Sequence, residues 1–235
     1  MSDEIINFKK INFYNKSFNS IFLKINKGGY LVAPAASSLS KIYENKIYYN
    51  SLIKSDVAIL DSGLLCILLR IFKGSKISKL SGYRFLKKFL NIKSIKNKKF
   101  LLIDPNYNES IANKNYLKKI NIFNVISYVA PLYKKKIIDK KLIRLINKEK
   151  PKYIIINIGG ERQEILGNYI KKKVNYKVSI ICTGAAIAFL TKRQAPINDF
   201  IDKYYLGWFV RLVHNPRKYI SRILGSFYLV KLFFE

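Results

Sequence analysis

Residues 179–222 read SIICTGAAIAFLTKRQAPINDFIDKYYLGWFVRLVHNPRKYISR and join a buried-strand pattern to a basic, aromatic C-terminal run. The opening SIIC lacks charged residues, as in a strand covered on both faces. The pattern breaks at Thr183 and Gly184 and continues through small residues and a basic loop. A helical run that contains Trp208 closes the stretch. The stretch therefore predicts a ligand-binding strand end joined to a cationic C-terminal segment.

Outward from this stretch, short apolar runs alternate with helical patterns along the chain. Near-continuous apolar runs of this kind are typical of a parallel sheet that is covered on both faces. The predicted strands are 30–33, 57–60, 100–103, 125–129, 153–156 and 178–182. The predicted helices run from Ser37 or Ser38 to about residue 52 and over 64–72, 109–120, 136–148 and 161–172, and residues 79–86 are interpreted as a turn that enters another helix. For residues 1–27 the pattern allows short strands but has no clear period.

The fold class that follows is α/β, a Rossmann-like parallel sheet with helices on both faces and a helical C-terminal appendage. We expect an α/β core over residues 1–196 and a basic, aromatic appendage over residues 197–235. Cys66 and Cys182 lie in apolar runs far apart and are interpreted as small buried hydrophobic residues, not as metal ligands or redox groups. The longest apolar run, 57–72, is interrupted by polar residues and is shorter than a membrane span.

The charge of the chain is strongly positive, with 44 Lys and Arg against 14 Asp and Glu, or a net charge of +30. Codon bias can account for the many lysines but not for the shortage of acids. A cationic surface of this strength favours an anionic partner. From composition alone, an anionic membrane, a nucleotide or polyphosphate substrate and a nucleic acid all stay open. The polar N-terminus and the lack of a long apolar run predict a cytoplasmic protein, either free or peripheral on a membrane.

Three predicted strand ends carry glycine or polar residues, at 61–63, 157–160 and 183–185. In an open parallel sheet, ligands collect at the carboxyl ends of the strands. Any one of these glycines could serve only a turn. Three together, two of them leading into helices with free N–H groups, favour a phosphate-bearing ligand. The chain lacks both the G-x-G-x-x-G pattern and a Walker lysine loop.

Acids are scarce, so those at strand ends are candidates for chemistry. Asp61 follows an apolar strand and precedes an apolar helix, and it could be a general base or only a turn-former and helix N-cap. Asp104 fits ordinary turn sequence, and Glu164 fits compensation of a helix dipole. His214, the lone histidine, is interpreted as a surface or interfacial residue. The aromatic and cationic C-terminal run fits a helix in a membrane interface, or a helix packed on the core with cations at its rim.

Seven blocks, taken in order and spacing, resemble the WecG/TagA/CpsF glycosyltransferase family over roughly residues 28–223. They are Ala33-Pro34-Ala35, Asp61-Ser62-Gly63, Ser81-Gly82, residues 159–164 (GGERQE), residues 184–187 (GAAI), Gln194-Ala195-Pro196, and a final block from Leu206 through Trp208, Arg211, Leu212 and Pro216 to Arg217. No single block is decisive, but their order is specific.

The resemblance implies transfer of a sugar of the N-acetylhexosamine type from a UDP-sugar to a polyprenyl-diphosphate-linked acceptor in surface-polysaccharide biosynthesis. It implies a metal-independent, inverting enzyme that needs no cofactor and whose appendage completes the site near the membrane. The implied partners are the donor, the acceptor and the anionic inner face of the cell membrane, with a homo-oligomer left open and no nucleic acid expected.

The same resemblance assigns roles to individual residues. Asp61 takes the place of the family aspartate as general base. Gln163 and Gly184 line the donor site. Three arginines hold the diphosphate, as guanidinium groups can without a metal. The substrate-binding residues implied by the blocks are Gly159, Arg162, Gln163, Glu164, Gly184, Ala185, Trp208, Arg211, Arg217 and Arg222.

The chain also departs from the family pattern. Ala33 and Ala35 replace a polar pair, Arg84 stands where an acid is common, and Gly207 stands where Glu is common. Ala188 replaces a frequent Asp, and the loop to Pro196 is two residues shorter. These departures leave the donor sugar open. They also leave two alternatives, a nucleic-acid-binding protein and an inactive family member that acts as a membrane scaffold.

Overall fold

A computed structural model describes residues 4–74, 76–134, 136–194, 199–204 and 206–234 of the chain. The described residues form one eight-stranded sheet with helices on both faces, which confirms the α/β prediction. The strands are β1 Glu4–Phe8, β2 Ile11–Asn15, β3 Gly29–Val32, β4 Val57–Ile59, β5 Phe100–Asp104, β6 Val125–Val129, β7 Tyr153–Ile156 and β8 Ser179–Cys182. Their spatial order is β1-β2-β4-β3-β8-β7-β5-β6, and all neighbours are parallel except the β1–β2 pair.

Helices connect most of these strands, and others follow the last one. They are α1 Phe18–Asn26, α2 Ala36–Leu39, α3 Lys46–Ile53, α4 Gly63–Lys73, α5 Gly82–Leu90, α6 Tyr107–Lys119, α7 Lys140–Glu149, α8 Arg162–Lys173, α9 Ala186–Leu190, α10 Asp199–Lys203, α11 Gly207–His214 and α12 Pro216–Phe227. Short 3₁₀ turns occur at Lys93–Ile95 and Lys231–Phe233. Among the described residues, no helix is long and apolar enough to cross a membrane.

Alternation along each strand divides the core into two layers. In β3, Tyr30 and Val32 face one layer, while Leu31 and the following Ala33 face the other. The first layer contains buried residues of α2, α3, α4, α7 and α8. The second contains buried residues of α1, α5, α6 and α9. The helices after β3 and β8, two neighbouring strands, thus lie on opposite faces, which opens a crevice at their carboxyl ends.

Two helices have bounds that differ from the prediction, because polar side chains cap a helix start that the apolar pattern did not indicate. One helix was predicted to continue to about residue 52, but the structure has two, because the Asn45 side chain accepts the Tyr48 N–H and starts α3. The expected serine cap of the first one is wrong, since its N-cap is Ala35. The helix predicted from residue 136 begins at Lys140, where Asp139 accepts the Leu142 N–H.

Residues 4–27 form regular structure that the sequence pattern did not define. Strands β1 and β2 make an antiparallel hairpin, and β2 then pairs in parallel with β4. The hairpin buries Ile6, Phe8, Ile11 and Phe13 in the first layer. It therefore extends the sheet and supplies part of the core.

The C-terminal segment folds back onto the same layer. Leu229 and Leu232 are buried there, and the Phe233 ring lies 4.6 Å from Phe8 and 5.2 Å from Phe72 between centroids. These last residues therefore pack against the predicted core. The division into a core over residues 1–196 and an appendage over residues 197–235 stays a prediction.

Candidate active site

Asp61 lies just beyond the end of β4 and is held by the start of α5. Its Oδ1 accepts the Gly82 N–H at 2.7 Å, and no described group bonds Oδ2. The N-cap of α4 is Ser62, which accepts the Leu65 N–H, so capping does not account for Asp61. Burial raises the pKa of Asp61, while the Gly82 N–H and the charge of Arg211 oppose this rise. The result is a carboxylate of increased basicity with one oxygen free.

Gly82 brings α5 against the ends of β3 and β8. A Cβ at this position would lie 3.0 Å from the Thr183 carbonyl oxygen and 3.4 Å from the Ala33 Cβ. Thr183 is buried, and its Oγ1 has no hydrogen-bond partner among the residues described. Because an unpaired buried hydroxyl is unfavourable, Thr183 is a candidate ligand-binding residue. The sequence pattern marked Thr183 only as a strand end.

Gln163 and Glu164 support the turn after β8 from inside the protein. The Gly184 N–H donates to Gln163 Oε1 at 2.8 Å, and Gln163 Nε2 donates to Glu164 Oε1 at 2.8 Å. Both side chains are buried, with 2% and 1% exposure. Gly184 has a φ of 63°, which glycine adopts without strain. The structure thus gives this pair a clear role in shaping the turn.

Burial also changes the acidity of Glu164. It raises the pKa of this carboxyl to about 8, although the hydrogen bonds that it accepts, including that from Gln163, act in the opposite direction. Oε2 has no partner within the described chain. The sequence suggested that Glu164 only compensates the dipole of its helix. That role does not account for a buried carboxyl group with a raised pKa.

The loop between β7 and α8 presents backbone donors at the same edge of the sheet. Gly159 and Gly160 are exposed, and α8 begins without a side-chain cap at Glu161. Glu161 has φ 64° and ψ −47°, a conformation that costs a non-glycine residue about 1–3 kcal/mol. Asn45 donates to its carboxylate at 3.0 Å, and the Arg162 Nε donates to the Tyr133 carbonyl at 3.1 Å. The Gln163 N–H already donates to the Gly159 carbonyl at 3.2 Å, so the exposed backbone of Gly159 and Gly160 is the part of this helix start that suits an anion.

Asp104 has a larger role than the ordinary turn expected from sequence. It is fully buried, and its Oδ1 accepts hydrogen bonds from Asn113 at 2.7 Å and Asn157 at 2.8 Å. Burial raises the pKa of Asp104, and these two amides lower it. The cluster fastens the end of β5 to the end of β7, beneath the Gly159 loop.

The C-terminal helices reach this edge through a buried ion cluster. Asp202 of α10 binds Lys79 Nζ at 3.0 Å and Arg84 Nε at 3.3 Å. The Arg211 guanidinium lies 4.9 Å from the centre of the Phe189 ring. Its Nε is buried and lacks a hydrogen-bond partner in the described residues. Arg211 is thereby placed where its charge acts on Asp61.

The other predicted residues of the C-terminal region are more exposed. Trp208 contacts Phe209, Arg222 lies over the Tyr219 ring, and Arg217 is exposed near the start of α12. Helix α12 packs on α2, the helix that follows β3. Ala185 directly precedes α9. His214 is exposed, as its interpretation as a surface residue requires.

The structure therefore brings Asp61, Gly184 and Arg211 to one edge, with Gln163 and Glu164 beneath it. Arg217 and Arg222 lie on α12, and neither is among the described residues that bond Asp61. Sequence reasoning missed Lys79, Phe189 and Asp202, and it included Thr183 only as part of a strand end expected to bind a ligand. Scarcity of acids could have singled out Asp202, whereas Thr183 and Phe189 carry no such signal. In the described part of the chain, no three His, Cys, Asp or Glu side chains are grouped as metal ligands would be.

Comparison with known proteins gives one family. The family model described as "Glycosyl transferase WecG/TagA/CpsF family" matches residues 6–235, essentially the whole chain. A search of curated proteins finds no match. The matched region contains all of the sheet except the first two residues of β1, the edge with Asp61 and Arg211, and the C-terminal helices.

Proposed function

This chain belongs to the WecG/TagA/CpsF family of glycosyltransferases, and from that premise we propose its donor, acceptor and mechanism. The donor is a UDP-sugar of the N-acetylhexosamine type, and the acceptor is a sugar linked to polyprenyl diphosphate. The reaction is inverting and independent of a metal, and it serves assembly of a cell-surface polysaccharide.

The observation that carries this proposal is the position of Asp61 at a strand end, partly buried and with one carboxylate oxygen unbonded by the described residues. In the proposed step, the free Asp61 oxygen takes the proton of the acceptor hydroxyl as that oxygen attacks the anomeric carbon. The bond from this carbon to the UDP oxygen breaks, and UDP leaves with the electron pair. Attack opposite to the leaving group inverts the anomeric configuration. A carboxylate whose pKa is raised by burial is a better base for this transfer.

Leaving-group stabilisation is assigned to cationic and backbone donors. Arg211 is placed near Asp61 and has an unpaired Nε, so its guanidinium can bind the developing diphosphate charge. The exposed backbone at Gly159, together with Arg162 at the start of α8, offers a second set of donors. Arg217 and Arg222 on α12 would join them as the appendage, including Trp208, closes over the ligand.

We further propose that the protein works on the inner, cytoplasmic face of the cell membrane as a peripheral protein. The net charge of +30 and the exposed aromatic residues of α10 to α12 support this placement. Basic helices that expose aromatic side chains suit an anionic lipid interface. A polyprenyl-linked acceptor would be presented in the same plane.

The test is a donor screen with a short-chain lipid-diphosphate sugar as acceptor, read by UDP release. The protein should release UDP from one UDP-N-acetylhexosamine only when the acceptor is present. Asp61→Asn should lower kcat by about 10²–10⁴-fold, because general base catalysis contributes a factor of this size. Donor binding should persist in this variant.

Asp56→Asn is the matched control, because Asp56 pairs with Lys171 and the Tyr30 N–H at the amino-terminal edge of the sheet. It should keep kcat within about threefold of wild type. Wild-type turnover in Asp61→Asn would remove the base assignment. UDP binding without turnover across all donors would instead support the inactive scaffold.

A further inference from the structure

A cationic groove lies between α1 and α5, beside the start of α10. Its volume is about 550 Å³, within the range of small-molecule sites. Arg84, Lys87 and Lys88 line it, together with Phe18 and Asp199. Three cations thus face one carboxylate. Neither the family match nor the proposed base and diphosphate residues assign a ligand to this groove.

The charges in the groove are held by contacts that a ligand could replace. Lys87 Nζ pairs with Asp199 Oδ2 at 2.7 Å, and the Asp199 side chain is 61% exposed. Exposed ion pairs of this kind are worth about 0–1 kcal/mol, so a stronger anion can displace the carboxylate. Lys88 Nζ lies 5.7 Å from the centre of the Phe18 ring, and no described carboxylate pairs with it.

Exposed aromatic residues lie beside this groove, one on α10 and one just after it. The rings of Phe200 and Tyr204 are 4.6 Å apart, and these residues are 63% and 53% exposed. Phe200 directly follows Asp199 in the chain. Cations next to exposed aromatic rings are the combination that anionic lipid interfaces attract, because the cations meet phosphates and the rings enter the headgroup region.

We propose that this groove binds the phosphate of an anionic membrane lipid, and that Asp199 is an internal anion which the lipid phosphate displaces from Lys87. The inference rests on the membrane placement in the proposed function, and it names the site of contact. Arg84 stays engaged with the buried Asp202, so the two lysines supply the exchangeable charge. Lipid contact at the groove would also hold α10 beside the active-site edge.

The experiment is sedimentation of the full-length protein with vesicles of phosphatidylglycerol and phosphatidylcholine, with no donor or acceptor added. Lys87→Gln/Lys88→Gln should bind about thirtyfold more weakly than wild type, since each basic residue near an anionic surface contributes about a factor of five. Asp199→Asn should bind several-fold more tightly, because it removes the competing carboxylate. Vesicles of phosphatidylcholine alone should bind none of the variants well.

Lys98→Gln/Lys118→Gln is the charge-matched control, since both lysines are exposed and lie outside the groove. The affinity of this variant for the vesicles should fall by less than about fivefold. If both double variants lost the same vesicle affinity, the proposal would be overturned, because binding would then depend on the overall positive charge and not on the groove. Strong competition by inorganic pyrophosphate at Lys87 and Lys88, with vesicle binding unchanged in their double variant, would assign the groove to a soluble phosphate instead. Because no turnover is measured, failure of sugar transfer does not affect the result.

Discussion

Glu164 shows how one buried residue can couple the site to pH. Its carboxyl group lies under the Gly184 turn, bonded through Gln163, and its pKa is raised to about 8. In the unfolded chain the same group titrates near its ordinary value of 4.5. The folded protein therefore holds a proton on Glu164 over an interval in which the unfolded chain releases it.

The resulting prediction concerns stability. Glu164 should contribute its full stabilisation below pH 4.5 and lose it as the pH rises to about 8. The loss should approach about 1.4 kcal/mol per pH unit within that interval. The Glu164→Gln side chain cannot ionise. The free energy of unfolding of this variant, relative to that of wild type, should therefore increase as the pH increases. Urea unfolding of both proteins at pH 5, 6.5 and 8 measures this difference.

Glu149→Gln serves as the control, because Glu149 is a partly exposed residue at the end of α7 paired with Lys99. Its difference from wild type should stay nearly constant over the same range of pH. A constant difference for Glu164→Gln as well would show that Glu164 ionises in the folded protein as it does in the unfolded chain.

At the scale of single residues, the sequence singled out Asp61 but not the groups that surround it. Asp61 stood out because an acid between an apolar strand and an apolar helix is costly without a purpose. Thr183 gave no such signal, because its importance comes from the approach of Gly82 across three elements. Asp104 was mistaken for a turn residue because Asn113 and Asn157, its partners, are distant in sequence.

Among the elements, α10 connects the C-terminal helices to the edge of the sheet that carries the candidate active site. Asp202 satisfies Lys79 and Arg84 from a buried position, and Arg211 follows on α11. The presence of an arginine at position 84 thus has a structural explanation. Its positive charge meets an acid supplied by α10.

Asp202→Asn should loosen α10 and α11 from the core. Removing one partner of a buried ion pair is strongly unfavourable, because it leaves the opposite charges unpaired. We expect at least tenfold faster proteolysis within residues 199–214 and about a tenfold lower kcat, as Arg211 moves from Asp61. Limited trypsin digestion and UDP release measure these two effects.

Asp199→Asn is the appropriate comparison for that variant, since Asp199 lies in the same helix but is largely exposed. It should change proteolysis and kcat by less than about twofold. Equal digestion rates for Asp202→Asn and wild type would mean that other contacts hold the helix.

Periodicity predicted the central strands well because both faces of the sheet are covered by apolar layers. The six predicted strands match β3 to β8 within one residue at each end. Strands β1 and β2 were not defined, although their buried and exposed positions alternate, because the apolar Ile5 is exposed and the polar Asn15 is buried. The start of α7 was misplaced because Asp139, a capping acid, outweighed the apolar pattern before it.

For the whole molecule, charge separates the lipid from the nucleic-acid alternative. A surface with a net charge of +30 will bind many polyanions at low salt. If lipid is the partner, vesicle binding should retain a salt-resistant part, because exposed aromatic residues such as Phe200, Tyr204 and Trp208 enter the interface. Binding to DNA or RNA should fall about 10³–10⁵-fold between 50 and 200 mM salt if it depends on phosphate contacts alone.

Sedimentation with vesicles and filter binding with nucleic acid, each over that range of salt, compare the two partners. Thermal stabilisation by a UDP-sugar provides an independent check. Salt-resistant nucleic-acid binding without any stabilisation by UDP-sugars would favour the nucleic-acid alternative over the glycosyltransferase proposal.

The contact between Phe8 and Phe233 has a consequence for the way the protein is made. These rings join the first strand to the last turn, across almost the whole 235-residue chain. During translation, β1 leaves the ribosome long before residues 229–233 exist. Until then Phe8 and Phe72 lack the aromatic surface that covers them. The nascent chain therefore exposes an apolar patch around Phe8 and Phe72 until residues 229–233 are made. We expect chaperones to bind this patch during that time.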